Sequence, residues 1–164
     1  MELRNITTDD LPLYESVYCN PRMMAHLGGP WSRERLPEKL RRDVETVESG
    51  RDWVFRIIPD GDAAGAAGTV SVWENSWRGE TINEIGWMIL PAFQGRGLAT
   101  EAVRAVLDRA RSEKRWDTVH AFPATANAPS NAVCLKTGFS RIGECDLEWD
   151  GHVLRCSHWR LDLR

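Results

Sequence analysis

A short glycine-containing segment precedes the predicted start of a helix and reads Gln94-Gly95-Arg96-Gly97-Leu98-Ala99. Small residues let consecutive backbone N–H groups point into one concave surface, and a helix N-terminus carries partial positive charge. This combination suits a pyrophosphate without many basic side chains. An ordinary strand-to-helix turn, in which the glycines satisfy only backbone geometry, is the alternative interpretation. The glycine patterns typical of dinucleotide-binding proteins and phosphate-loop enzymes are absent, so we expect a different phosphate-containing ligand.

A second segment lies farther along the chain and reads Asn127-Ala128-Pro129-Ser130-Asn131-Ala132-Val133-Cys134-Leu135-Lys136-Thr137-Gly138-Phe139. Taken from the residues alone, Asn127 and Ser130 are also typical of an ordinary helix cap. The two segments in this order resemble the GNAT superfamily of N-acetyltransferases. Its pyrophosphate-binding signature, Gln/Arg-x-x-Gly-x-Gly/Ala, matches Gln94, Gly97 and Ala99, and its Asn-x-x-Ser, helix, Lys-x-Gly-Phe element matches the second segment. The run Glu84-Ile85-Gly86-Trp87 is similar to the branch that contains ribosomal-protein N-terminal acetyltransferases, together with antibiotic and small-amine acetylators.

The resemblance implies an enzyme that transfers acetyl from acetyl-CoA to a primary amine by direct attack in a ternary complex. No metal is expected, because the four cysteines and four histidines show no metal-ligand spacing. In the family, two parallel strands splay apart and the pantetheine arm pairs with exposed backbone groups, which Met88, Ile89 and Leu90 would supply here. Backbone N–H groups near Ile89 would then stabilise the charge that develops on the thioester oxygen. The residues expected to bind acetyl-CoA are Met88, Ile89, Leu90, Gln94, Gly95, Arg96, Gly97, Leu98, Ala99, Thr100, Asn127, Ser130, Asn131 and Lys136.

An ammonium group cannot attack a thioester, so a base must remove a proton from the amine. Family members that keep a glutamate on the strand before the loop make Glu84 the expected base, and burial would raise its pKa into a useful range. A structural glutamate paired with an arginine is the alternative. Glu80, Glu144 and Glu148 are rival carboxylates.

The departing CoA thiolate benefits from a proton donor, and many family members have a tyrosine where this chain has Cys134. The candidate acids are therefore Cys134, Ser130 or a water molecule. A small packed helix residue is the plain interpretation of Cys134, because no histidine with an acidic or amide partner stands near it in sequence. The missing tyrosine also keeps open a second hypothesis, an inactive protein that binds acetyl-CoA as a sensor or scaffold.

Tryptophan is unusually frequent, with eight residues in the chain. Trp31, Trp73, Trp77 and Trp87 fall in regions that flank the expected acceptor side, where they would form a stacking or cation–π wall for an amine. Packing between the sheet and the helices is the alternative role.

Hydrophobic periodicity places these residues on a mixed α/β sheet. Strands are predicted at residues 3–6, 53–58, 69–73, 82–90, 118–122, 139–149 and 152–161, and helices between Thr8 and Pro21 and at residues 32–50, 98–111 and 130–136. A helix between the strands at 82–90 and 118–122 implies parallel pairing, whereas the earlier strands form an antiparallel meander with a turn at residues 59–62. The expected fold is a single domain over residues 1–164 with helices on both faces of the sheet.

The final two strands predict a hairpin around Asp150-Gly151, a favoured two-residue turn. This turn sets three cross-strand pairs, which are Asp146 with Arg155, Leu147 with Leu154, and Cys145 with Cys156. The cysteine pair is expected to stay reduced.

Bulk properties exclude several classes of protein. The chain has 164 residues, of which 42% are hydrophobic and 27% charged, as in a globular domain rather than a disordered one. A net charge of -3 gives no general attraction to nucleic acid. Neither a leader nor a membrane-spanning run is recognised, which predicts a cytoplasmic protein without a membrane partner. The sequence leaves open whether two copies form a homodimer.

Overall fold

The computed structural model describes residues 1–60 and 65–164. These residues form one seven-stranded sheet in the order β1-β2-β3-β4-β5-β7-β6. The strands are β1 Glu2–Asn5, β2 Trp53–Ile58, β3 Gly68–Trp77, β4 Glu80–Ile89, β5 Thr118–Ala121, β6 Ser140–Trp149 and β7 His152–Asp162. The helices are α1 Leu11–Tyr18, α2 Leu36–Glu48, α3 Leu98–Ser112 and α4 Ala128–Lys136. The turn predicted at residues 59–62 includes positions outside the described residues.

The sheet is antiparallel except at its centre. β1 to β4 form an antiparallel meander, and β4 pairs in parallel with β5 through Glu84 and His120. Helix α3 connects these two parallel strands, so the predicted strand, helix, strand unit is confirmed. The predicted mixed α/β fold is therefore the observed one.

Helices cover both faces because side chains alternate along each strand. On β2, Phe55 and Ile57 pack into the larger core below α3, whereas Val54 packs into a second core with α1 and α2. On β4, Ile85 belongs to the α3 core and Glu84 points to the opposite face. The face opposite α3 therefore carries polar residues of the central strands, and we call it the acceptor face.

The closing hairpin has the predicted register, with Asp146 opposite Arg155 and Leu147 opposite Leu154. Its turn residue Asp150 has a φ of 47° and Gly151 a φ of 77°, as a two-residue hairpin turn of this kind requires. Cys145 and Cys156 face each other as free, buried thiols.

The hairpin tip contacts the segment that precedes α2. The guanidinium of Arg35 donates to both carboxylate oxygens of Asp150, at 2.6 and 2.9 Å, and lies 3.8 Å from the Trp31 ring. The Arg35 charge holds the pKa of Asp150 below its usual range. This contact joins the start of α2 to the hairpin across the acceptor face.

Candidate active site

A cleft of about 900 Å³ passes through the sheet where β4 and β5 separate. β5 ends at Ala121, one residue after its register pair with β4, while β4 continues to Ile89. The segment from Gly86 to Ile89 therefore has no strand partner on this side and lines the cleft. One end of the cleft, called the donor end, reaches the glycine loop of residues Gln94 to Ala99, and the other, called the acceptor end, opens on the acceptor face.

Backbone direction along the open edge corrects part of the sequence prediction. The Leu90 N–H donates to the Ala67 carbonyl at 2.8 Å, and the Met88 carbonyl is directed at Gly68 on β3. Since backbone groups alternate between the two sides of an antiparallel strand, those of Trp87 and Ile89 point into the gap. Of the three residues predicted to pair with pantetheine, Ile89 alone presents its backbone there. Trp87 is the residue that the sequence prediction missed.

The glycine loop is built on two left-handed residues, Gly95 with φ 74° and Gly97 with φ 79°. Gly97 is the N-cap of α3, and the Glu101 N–H is the first to close a helical hydrogen bond, donating to the Gly97 carbonyl at 3.0 Å. Geometry leaves the preceding N–H groups of α3 without helical acceptors. The Gln94 side chain donates to the Ile89 carbonyl at 2.8 Å, which fastens the loop to the open edge of β4.

The loop residues predicted to bind the donor divide into two groups. Gln94, Gly95, Gly97, Leu98, Ala99 and Thr100 line the cleft. Arg96 and Leu90 do not, because Arg96 is exposed beside the Phe93 ring and Leu90 continues the β3 ladder. The polar groups that this loop places along the cleft are therefore backbone N–H groups and Thr100 rather than an arginine.

The α4 segment forms the opposite wall of the donor end. Asn127, Ser130 and Lys136 line the cleft, and the Asn127 side chain accepts a hydrogen bond from the Ser130 N–H at 3.2 Å. Asn131 does not line it. Its amide donates to the Ala124 carbonyl at 3.0 Å and accepts from the Trp159 indole at 2.9 Å, so it fixes the loop before α4. The predicted donor contact of Asn131 is replaced by a structural role.

Glu84 lines the cleft on the acceptor face. Its side chain is 7% exposed and accepts a hydrogen bond from the Asn75 amide at 2.6 Å. Burial raises the pKa of Glu84 to about 7, whereas the Asn75 donor lowers it less. A carboxyl group with this pKa can exchange a proton near neutral pH. The rivals Glu80, Glu144 and Glu148 are exposed and do not line the cleft.

Cys134 lies away from the cleft. Its side chain is fully buried in the α3 core, and burial raises the pKa of the thiol to about 12. This placement does not fit a thiol that contacts the reacting atoms, so the predicted catalytic role of Cys134 is withdrawn in favour of packing. Ser130 does line the cleft and is the candidate that remains on α4.

The tryptophans divide in a way that composition does not reveal. Trp73 and Trp87 line the cleft. Trp31 stacks on Tyr18 at 5.0 Å, and Trp77 packs on Phe122 at 5.0 Å, so these two are packing residues outside the cleft. Trp149 lines the cleft and was missed by the sequence prediction, although its place next to the Asp150-Gly151 turn was predicted.

The acceptor end of the cleft contains further polar residues that the sequence did not single out. They include Tyr18, Lys39, Asp43, Asp52 and Ser71, and Arg22, His26 and Thr69 also line the cleft. The Lys39 ammonium contacts Asp43 at 2.6 Å, and the Tyr14 hydroxyl donates to the same carboxylate at 2.6 Å.

Within residues 1–60 and 65–164, no group of three or more His, Cys, Asp or Glu side chains is arranged to hold a metal ion. No helix in these ranges is long and apolar enough to cross a membrane.

Comparison with known proteins gives three results. A family model described as "Acetyltransferase (GNAT) domain" matches residues 1–140. The uncharacterized N-acetyltransferase YnaD of Bacillus subtilis (strain 168) is 37% identical over 65 residues, which are 40% of this chain and 38% of that protein. The aligned part thus spans well under half of this relative.

Solved structures share the fold at low sequence identity. The ribosomal-protein-S5-alanine acetyltransferase from Vibrio fischeri has a TM-score of 0.80 at 20% identity, over 98% of this chain and 91% of that chain. The spermidine N-acetyltransferase from Vibrio cholerae, solved with CoA and spermine, has a TM-score of 0.80 at 18% identity, over 99% of this chain and 95% of that chain.

Proposed function

The chain is an N-acetyltransferase of the GNAT acetyltransferase family, and we propose that it transfers the acetyl group of acetyl-CoA to a primary amine by direct attack. The observation that carries this proposal is one continuous cleft. It connects the glycine loop, the open edge of β4 and the buried carboxyl group of Glu84. A protein that only senses acetyl-CoA has no need of a carboxyl group with a pKa of about 7 at this position.

The donor end fits the acetyl-CoA that the family implies. Free N–H groups at the start of α3 suit a pyrophosphate, and Lys136 adds positive charge at the same end. The Trp87 backbone groups suit the amides of a pantetheine arm, because the Ile89 carbonyl already accepts a hydrogen bond from Gln94. Acetyl-CoA supplies an activated acetyl group when it is bound. The Ile89 N–H, a fixed donor, would stabilise negative charge on the thioester oxygen.

At the acceptor end, ionised Glu84 would take a proton from the ammonium form of the amine, directly or through a water molecule. The neutral nitrogen then forms a bond to the acetyl carbon, and the carbon–sulfur bond breaks with the electron pair leaving on the CoA sulfur. The nitrogen is positively charged after bond formation and loses its second proton, and Ser130 or water would relay a proton to that sulfur. The products are an acetamide and CoA.

Acetyl-CoA binding is tested by isothermal titration calorimetry on Gly97→Trp. We expect a loss of binding, because the indole would cover the N–H groups at the start of α3. Gly50→Trp is the matched control, since Gly50 also has a left-handed φ, of 72°, and open space around it, but lies at the end of α2 away from the cleft. Full affinity in Gly97→Trp would exclude the loop as the donor site.

Transfer itself is tested by following CoA thiol release with N-terminal peptides, aminoglycosides, polyamines and amino acids. Structural neighbours include enzymes named for a ribosomal protein, an aminoglycoside and spermidine, so each class belongs in the panel. Release that depends on an amine supports the enzyme. Tight acetyl-CoA binding without release by any amine would favour the sensor or scaffold.

A further inference from the structure

Glu84 on β4, Trp73 on β3 and Asp52, which immediately precedes β2, form a row on the acceptor face. Trp73 of β3 is the register partner of Glu84 on β4. On the other side of β3, Trp53 pairs with Val72, so Asp52, one residue earlier, lies beside Trp73 and accepts a long hydrogen bond of 3.4 Å from the Glu74 N–H. All three residues of this row line the cleft. The row therefore places two carboxylates on either side of one indole.

The Asp52 carboxylate makes only weak contacts with the residues around it. Its side chain is 14% exposed, and its contact with the Arg51 guanidinium is 4.0 Å, at the limit for an ion pair. Arg51 is itself 63% exposed, so this contact is weak. By contrast, the neighbouring carboxylate of Asp43 is occupied by Lys39 and by the Tyr14 hydroxyl. A mostly buried carboxylate with weak partners favours a cationic ligand.

Trp73 provides an apolar floor between the two carboxylates. The edge of its indole lies against Gly86, so the ring extends over β4 rather than away from the cleft. Trp149 and Leu147 of the hairpin add apolar surface at the same end. The acceptor end therefore alternates between acidic, apolar and acidic character along the row.

We propose that the preferred acceptor carries a second positive charge, which Asp52 binds while the reacting nitrogen lies at Glu84. This inference rests on the proposed function. Neighbouring strands lie about 4.8 Å apart, so the two carboxylates are separated by about two strand spacings, or about 10 Å. The chemical class is a diamine or polyamine whose methylene chain crosses Trp73, rather than an amine with one charge.

The test compares straight-chain α,ω-diamines of increasing length with n-alkylamines of the same carbon number, using CoA release at saturating acetyl-CoA. We expect the wild-type protein to prefer the diamine at intermediate lengths by about tenfold in kcat/KM, mainly through KM. In Asp52→Asn the ratio of diamine to monoamine kcat/KM should fall towards one. Asp108→Asn is the control, because Asp108 is an exposed carboxylate on α3.

The outcomes separate the two proposals. Turnover of both amines with equal kcat/KM in the wild-type protein would overturn the second-cation site and leave the acetyltransferase intact. An unchanged ratio in Asp52→Asn would overturn the role of Asp52. Absence of turnover with every amine, despite acetyl-CoA binding, would count against the proposed function itself.

Discussion

The Trp73 indole lies directly against the α-carbon of Gly86, so that a Cβ placed on Gly86 would stand 3.1 Å from Cη2 and 3.2 Å from Cζ3 of the ring. These distances are tighter than ordinary van der Waals contact, so an added methyl group must displace the ring by a few tenths of an ångström. The absence of a side chain at Gly86 thus sets the position of Trp73 beside Glu84.

Gly86→Ala is expected to raise the KM for the acceptor amine several-fold, because a shifted indole narrows the acceptor end. The effect on the KM for acetyl-CoA should be smaller. Steady-state kinetics with each substrate varied in turn measure both constants.

Gly143→Ala is the matched control for this substitution. Gly143 also lies in a strand and lacks a positive φ, and a methyl group added to it would have nothing within 4 Å. Equal kinetic effects of the two substitutions would show that the contact between Trp73 and Gly86 does not govern the acceptor end.

The activity of the wild-type protein should rise with pH and level off above about 7 if Glu84 is the base, because burial raises its pKa to about 7 and only the ionised form accepts a proton. Glu84→Gln should lower kcat by about 100-fold or more and remove this inflection. The measurement is kcat/KM against pH for both proteins.

Glu148→Gln serves as the control for Glu84→Gln, since Glu148 is an exposed glutamate of β6. It should retain the wild-type profile. If Glu84→Gln shows the same inflection in its pH profile as the wild-type protein, another group acts as the base.

The same burial predicts a pH-dependent gain of stability in Glu84→Gln. The unfolded chain releases the Glu84 proton near 4.5, whereas the folded protein holds it until about 7, so wild-type stability falls as pH rises between these values. A shift from 4.5 to about 7 corresponds to ~3 kcal/mol. Glutamine does not ionise, so Glu84→Gln does not lose stability in this way as pH rises.

Urea unfolding of both proteins at about pH 5 and about pH 8 measures this gain. The stability advantage of Glu84→Gln should be larger at the higher pH. An advantage that does not change with pH would mean that Glu84 titrates normally in the folded protein.

Local patterns predicted most of the fold. The hairpin register followed from Asp150-Gly151 because this turn sets which residues pair, and α3 followed from an apolar stripe that begins after the glycine loop. The GNAT resemblance drawn from the two motifs is confirmed by the family match. Strand ends were less predictable, since β3 extends to Trp77 through residues that alternate between intermediate and exposed positions.

The candidate site was only partly predictable because it depends on which way each group points. Motif position suggested that Met88 and Leu90 pair with pantetheine, but their backbone groups face β3. Which side of β4 a backbone group faces depends on the register between the strands rather than on residue type. Cys134 occupied a suggestive position in the motif, yet the rotation of α4 buries it. Asp52 acquires its importance only from the register between β2 and β3.

The hairpin tip also rests on the loop that follows α1, through His152 and Gly28. A Cβ on Gly28 would lie 2.7 Å from His152 Cγ, whereas one on Gly29 would have nothing within 4 Å. Both glycines have left-handed φ values, of 84° and 97°, so alanine at either position carries the same kind of backbone strain, about 1 kcal/mol or more. Gly28→Ala should therefore destabilise the protein more than Gly29→Ala does.

The difference between these two substitutions isolates the contact with His152. It should vanish in a His152→Ala background, because alanine leaves nothing for the Gly28 methyl group to displace, and urea unfolding of the four variants and their parents completes the cycle. Since Leu27 and Trp149 line the cleft beside this contact, Gly28→Ala should also raise the KM for the acceptor more than Gly29→Ala. If Gly28→Ala destabilises the protein more than Gly29→Ala by the same amount with His152 and with alanine at position 152, the position of the hairpin tip does not depend on this contact.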